Sequence, residues 1–205
     1  MIAWLLLLAL QHPATPPPDS MVARSLAAVE GGVAGELDRP LRAILRRDPA
    51  DRAARLGLAT LSRLQYRHRT ADSLYSALHA ETPDGYALLA LLGQGDGLAS
   101  RGNLPAARER LAAAESLAAV RGDSGARVQA LLGLAALVGP TIRDGAEDSL
   151  FLLAAALLPA GRPDLHARLR CARAGPPLLP GELPEVAEAH AGAALALAAG
   201  DRRQR

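Results

Sequence analysis

The sequence predicts an all-α chain built from stacked helix pairs, and three observations carry that expectation. Alanine (45) and leucine (39), both strong helix formers, fill 84 of its 205 positions. Valine, isoleucine and threonine together supply only 15 residues, too few for a sheet of any size. From Ser20 onward, apolar stretches at helical spacing alternate with short breaks rich in Gly, Pro and Asp. A mass of 21.3 kDa is enough to bury a real core.

The first element is Ile2–Leu10, an apolar run followed by Gln11, His12 and Pro13. As a helix it would rise about 14 Å, short of the roughly 30 Å of a bilayer core, so no integral membrane span is expected. It reads as the hydrophobic region of a candidate signal peptide, with Pro13–Pro18 as spacer, which sets residues 1–19 apart from a repeat domain over 20–205. No arginine precedes the run, and no cysteine follows it closely enough to carry a lipid. A signal peptide implies export, to a periplasm or beyond. The other reading is a hydrophobic helix packed on the first repeat of a cytoplasmic protein.

The spacing then predicts helices over Met21–Glu30, Leu37–Arg47, Asp51–Arg67, Thr70–Ala80 and Gly85–Arg101. Five more follow, over Leu104–Val120, Ser124–Val138, Gly145–Leu158, Asp164–Ala174 and Leu183–Ala199. Asp48-Pro49, Thr82-Pro83, Gly122-Asp123 and Gly161-Arg162-Pro163 separate pairs, and Gly102-Asn103 turns within one. Asp51, Ser124 and Asp164 are suited to cap helix N-termini, because their side-chain oxygens can accept an orphan amide.

Aligning the second helices exposes a period. Ala71 lies 36 residues before Ala107, which lies 39 before Ala146, and Leu37 lies 34 before Ala71. A larger residue stands four places on, at Leu41, Tyr75, Leu111 and Leu150. A third stands three further on, at Ile44, Leu78, Ala114 and Leu153, so all three share one helix face. A small residue lets its helix approach a partner closely, and the bulky one fills the groove so formed.

These segments resemble tetratricopeptide repeats, which pair a small residue with an aromatic or leucine four on and a closing proline, every 34 residues. The best copy runs from Arg52 to Gly85, with Leu58 and Ala59 in its first helix, Ala71 and Tyr75 in its second, and Pro83 at its close. The next starts near Leu88 and carries Gly95, Leu98, the Gly102-Asn103-Leu104 turn, Ala107, Leu111 and Ala114. A third starts near Arg127 and departs from the pattern, with Leu134 where a small residue is usual and Gly139-Pro140 in a longer turn. The tryptophan of the first helix is missing, and Ser62 stands where the family prefers tyrosine. The resemblance implies a right-handed superhelix of four to five antiparallel helix pairs, an α-solenoid, in which neighbouring pairs bury a continuous core.

It also implies a concave groove, lined by first helices, that holds an extended or helical peptide of another protein. Carried over position by position, the lining is Ala53, Leu56, Thr60, Arg63 and Leu64, then Leu89, Leu92, Asp96, Ala99 and Ser100, then Val128, Leu131, Ala135 and Val138. The Lys and Asn that clamp a terminal carboxylate in the chaperone-binding subfamily are absent there. An apolar groove edged by Arg63 and Asp96 suits an apolar or helical segment, although some of these leucines could equally be core.

Other chemistries find little support. Net charge is +2 with acids accompanying the arginines, so no basic stripe for nucleic acid emerges. Arg202, Arg203 and Arg205 form only a short tail. Gly93-Gln94-Gly95-Asp96-Gly97 matches neither phosphate-binding fingerprint and follows no strand. The single cysteine, Cys171, excludes an internal disulfide and lies about 140° around a helix from His166, so the two cannot act as nucleophile and base. No His-x-x-x-His or Cys/His cluster has metal-ligand spacing. No metal, cofactor or catalytic residue is therefore expected.

The expectation is a non-enzymatic scaffold or adaptor that binds another protein. The alternative is the sensory or docking arm of a larger bacterial regulator or protease. The last helix, Leu183–Ala199, presents Val186, Ala189, Ala193, Leu195 and Leu197 with its charges only near its start, and so invites a partner or self-association.

Overall fold

The computed structural model describes residues 17–138, 146–159 and 161–174. The expected elements Ile2–Leu10 and Leu183–Ala199, and the Gly139-Pro140 turn, lie outside the described residues. Nine helices occur among those described: α1 Pro18–Glu30, α2 Ala34–Arg47, α3 Arg52–Leu64, α4 His68–Glu81, α5 Gly85–Ala99, α6 Leu104–Arg121, α7 Ser124–Val138, α8 Ala146–Leu157 and α9 Pro163–Ala174. No strand occurs among the described residues. The chain divides after Glu81 into two compact units, α1–α4 and α5–α9.

In the first unit α3 is the hub, packed on α1, α2 and α4. Its middle is buried all round, from Leu56 through Ser62. At Gly57 an added Cβ would lie 2.7 Å from Met21 Cε of α1 and 3.2 Å from Leu41 Cδ1 of α2, so glycine is what admits both neighbours to the α3 backbone. Polar groups then fix the register. The buried Ser25 hydroxyl of α1 sits 2.9 Å from the Met21 carbonyl and 3.1 Å from that of Gly57, and Tyr75 of α4 bonds through its hydroxyl to Thr60 of α3 at 3.2 Å. Arg67, at the α3–α4 turn, reaches Asp38 of α2 at 2.7 Å. Arg55 and Arg52 of α3 both pair with Glu81 at the end of α4.

The second unit relies more on size, with Arg127 of α7 also paired to Glu115 of α6 at 2.7 Å. Helices α5 to α8 pack in sequence order, and α7 also touches α5 and α9. First helices thus meet first helices, as stacked pairs require. Leu111 of α6 is wedged between two glycines. An added Cβ at Gly95 of α5 would come within 2.6 Å of Leu111 Cγ, and one at Gly133 of α7 within 3.0 Å of both Leu111 Cδ atoms. Leu88, Leu92, Ala114 and Ala118 complete that core, and Val128, Leu131, Phe151, Ala154, Leu165 and Leu169 form the next one along.

Helix ends follow one design. After α1, α3, α5 and α6 the chain turns through a left-handed residue, with an amide one place beyond it bonding back five residues. The bonds are Val33 N to Ala28 O, Arg67 N to Ser62 O, Asn103 N to Leu98 O and Asp123 N to Ala118 O, all between 2.8 and 3.0 Å. The left-handed residue is Gly32, Gly102 or Gly122 in three of them and Tyr66 in the fourth.

Several boundaries depart from the sequence expectation. α3 stops at Leu64 rather than Arg67, because Tyr66 turns the backbone where no glycine announced it. The cap of α7 is Asp123, whose carboxylate accepts from Ala126 N at 2.9 Å, not Ser124. Asp164 lies inside the first turn of α9, where it pairs with Arg162 at 2.9 Å. Asp51 does cap α3, accepting from Ala54 N at 2.8 Å. On α8 it is Phe151 that is buried, while Leu150 is half-buried at the edge of the cluster. The small residue of α7 that meets the preceding second helix is Gly133, one place before Leu134.

Candidate functional site

The first unit contains a cleft of about 540 Å³ between α1 and α2, floored by α3. Its base is apolar: Met21 and Ala28 from α1, Leu41 from α2, Ala53 and Ala54 from α3. Its rim carries Val33 and Ile44, respectively 43% and 40% exposed, together with Leu37. Three charged residues border it, Arg24, Glu36 and Asp51. Pro40 also lines the cleft from within α2. Having no N–H, it leaves the Glu36 carbonyl four residues earlier without its helical donor.

Leu37, Leu41 and Ile44 form the stripe that the sequence reading assigned to helix packing. In the structure only Leu41 is fully buried, and the other two face the cleft opening. Arg24, Val33 and Glu36 carried no signal that singled them out. A proline inside an otherwise periodic helix was the one available clue.

The residues expected in a groove along the first helices are distributed differently. Leu56, Thr60, Leu92 and Leu131 are buried in the core, as are Val128 and Ala135. Thr60 spends its hydroxyl on Tyr75. Arg63, Leu64 and Leu89 are half-buried, and Asp96 and Ser100 are exposed. Ser100 donates to the Gly97 carbonyl at 3.0 Å. Ala53 alone of that set lines the cleft. Among the residues read as repeat packing, Ala59, Ala71, Tyr75, Gly95, Ala107, Leu111 and Ala114 are buried, whereas Pro83 is exposed beyond the end of α4. Ala146 begins α8.

Electrostatics near the first unit centre on Asp38. The hydrogen bond from Arg42 (2.5 Å) holds its carboxyl below the usual range; burial opposes this and Arg67 adds to it. In the second unit the Arg162 hydrogen bond lowers Asp164 in the same way. Among the described residues no group of three His, Cys, Asp or Glu could hold a metal ion. No described helix is long and apolar enough to cross a membrane.

Comparison with protein-family models, curated proteins and solved structures finds no match for the chain. Its reading therefore rests on its own residues and packing.

Proposed function

We propose that the chain is a non-enzymatic scaffold, a tetratricopeptide-like array of helix pairs wound as a right-handed superhelix, that binds an apolar or helical segment of another protein. The cleft between α1 and α2 carries this reading. It is an apolar concavity with β-branched side chains left on its rim and a few polar groups at the margin, the usual make-up of a helix-in-groove site. Consecutive packing and first-helix contacts support the repeat architecture. The binding surface differs from the groove that the family resemblance implies, since half of that lining is core.

A fluorescently labelled 18-residue amphipathic helix of leucine and lysine tests the idea by anisotropy, lysine being chosen for the two carboxylates against one guanidinium at the rim. Binding is expected to weaken at least tenfold in Ile44→Asp while the circular dichroism stays unchanged. Equal binding by the two chains would refute the cleft as the site.

A further inference from the structure

Tyr66 is the one non-glycine residue with positive φ (59°) among the described residues. Its turn is the same backbone motif that ends α1, α5 and α6, where Gly32, Gly102 and Gly122 hold the left-handed position. A side chain there is strained, and strained residues cluster at functional sites. Packing does not explain it, because Tyr66 is 79% exposed and its ring stands edge-to-face with His68 at 6.0 Å between centroids, with no other aromatic pairing among the described residues. An aromatic in the open, on a position that favours glycine, calls for a partner to cover it.

The surroundings state what chemistry that partner has. Arg67 follows Tyr66 directly, and Arg69 is exposed at the start of α4. Arg67 and Arg42 share a single carboxylate, Asp38, so two guanidinium charges meet one negative charge. This corner of the first unit thus holds guanidinium capacity that Asp38 does not satisfy.

We propose that the α3–α4 turn is a second docking surface, separate from the cleft, on which an acidic peptide segment of another protein binds with Tyr66 as its anchor and Arg69 and Arg67 as its charge partners. An acidic peptide is favoured over nucleic acid by the patch itself. It has one aromatic rather than a stacking series, and Asp38 sits amid the arginines, where a continuous phosphate chain would meet it. Guanidinium forks also bind carboxylates bidentately, which gives register as well as affinity.

The test uses the full chain. A random dodecapeptide phage library is selected on the unaltered protein and counter-selected on Tyr66→Gly. The expected survivors are enriched in Asp and Glu. Synthesised, they bind at least tenfold more weakly to Tyr66→Gly and to Arg69→Glu, and more weakly as salt rises. Tyr66→Gly is expected to melt about 2–4 °C higher than the unaltered chain, because the strain is gone. That combination, a more stable protein that binds less, is one that loss of a structural contact cannot produce. The proposal is overturned if Tyr66→Gly melts at or below the unaltered chain, or if the selected peptides bind both proteins equally or show no acidic excess. It is equally overturned if a 12-nucleotide single-stranded DNA loses tenfold in affinity on Tyr66→Gly while no acidic peptide does. Ile44→Asp serves as a control expected to bind these peptides unchanged, which separates this surface from the cleft.

Discussion

The two units solve one packing problem with different means. In α1–α4 helices are brought together around Gly57 and then held by hydroxyls and charges: Ser25 on the Gly57 carbonyl, Tyr75 on Thr60, Arg67 on Asp38. In α5–α9 the central contact is steric, with Leu111 seated between Gly95 and Gly133. Polar contacts need exact geometry and contribute about 1 kcal/mol each, whereas a buried leucine contributes several. The first unit should therefore be specified by many small terms, and the second by a few large ones.

The sharpest way to break that contrast is Leu111→Ala. Loss of this buried side chain should cost about 2–5 kcal/mol in denaturant unfolding of the second unit. Gly95→Ala should cost clearly less in that background than in the unaltered chain, since the vacated space receives the new methyl. Additive costs would show that the two residues do not share a site.

Next in size is Ala107→Phe, at a fully buried small position of α6, expected to destabilise by about 1–3 kcal/mol through overpacking. Glu109→Ala, two residues along on the exposed face, should leave the melting temperature nearly unchanged. Indistinguishable melting curves would mean that the α6 register is wrong.

In the first unit, Ser25→Ala should cost about 1 kcal/mol, because the Met21 and Gly57 carbonyls lose their shared donor. An effect above about 3 kcal/mol would put this polar contact on the scale of Leu111 and erase the contrast.

The smallest effect concerns acid. Arg42 first, and Arg67 after it, lower the Asp38 carboxyl, so the folded chain takes up that proton less readily than the unfolded one. The resulting stability is present above about pH 4 and is lost as pH falls through the lowered folded value. With Arg42 well exposed it should stay below about 1 kcal/mol, and Asp38→Asn should remove that part of the acid dependence. A pH profile unchanged by Asp38→Asn would mean the triad contributes nothing to folding.

Helix positions were legible in the sequence because Gly, Pro and Asp punctuate the chain where its helices end. Which face of each helix meets which neighbour was less so, and the alphabet is the reason. Where 103 of 205 residues are Ala, Leu or Gly, shifting a pattern by one place changes it little. Leu150 therefore seemed as suitable as Phe151, and Leu134 hid Gly133 beside it. Groove and core were inseparable for a related cause: Leu56, Leu92 and Leu131, buried in the structure, are the same residue type whether they face a ligand or the core. Ser25 and Tyr66 lay beyond reach, because burial of one hydroxyl and the handedness of one turn follow from contacts or backbone geometry that local composition does not encode.

Leu111 has a consequence for how such a chain could have grown. Because its side chain is shared by glycines on the helix before and the helix after, a lone helix hairpin is not a self-sufficient module; cutting between α6 and α7 opens one side of the leucine's seat. Gly95 and Gly133 lie 38 residues apart, so tandem duplication of a 38-residue block brings a fresh glycine to each copied leucine. An insertion inside α5 or α7 would rotate the glycine away from the leucine by about 100° per residue, whereas one in a loop leaves the helix faces as they are. Gain and loss of repeats would then conserve the helix faces, while the intervening loops vary in length, as the unequal spacings of 36 and 39 residues between second helices show.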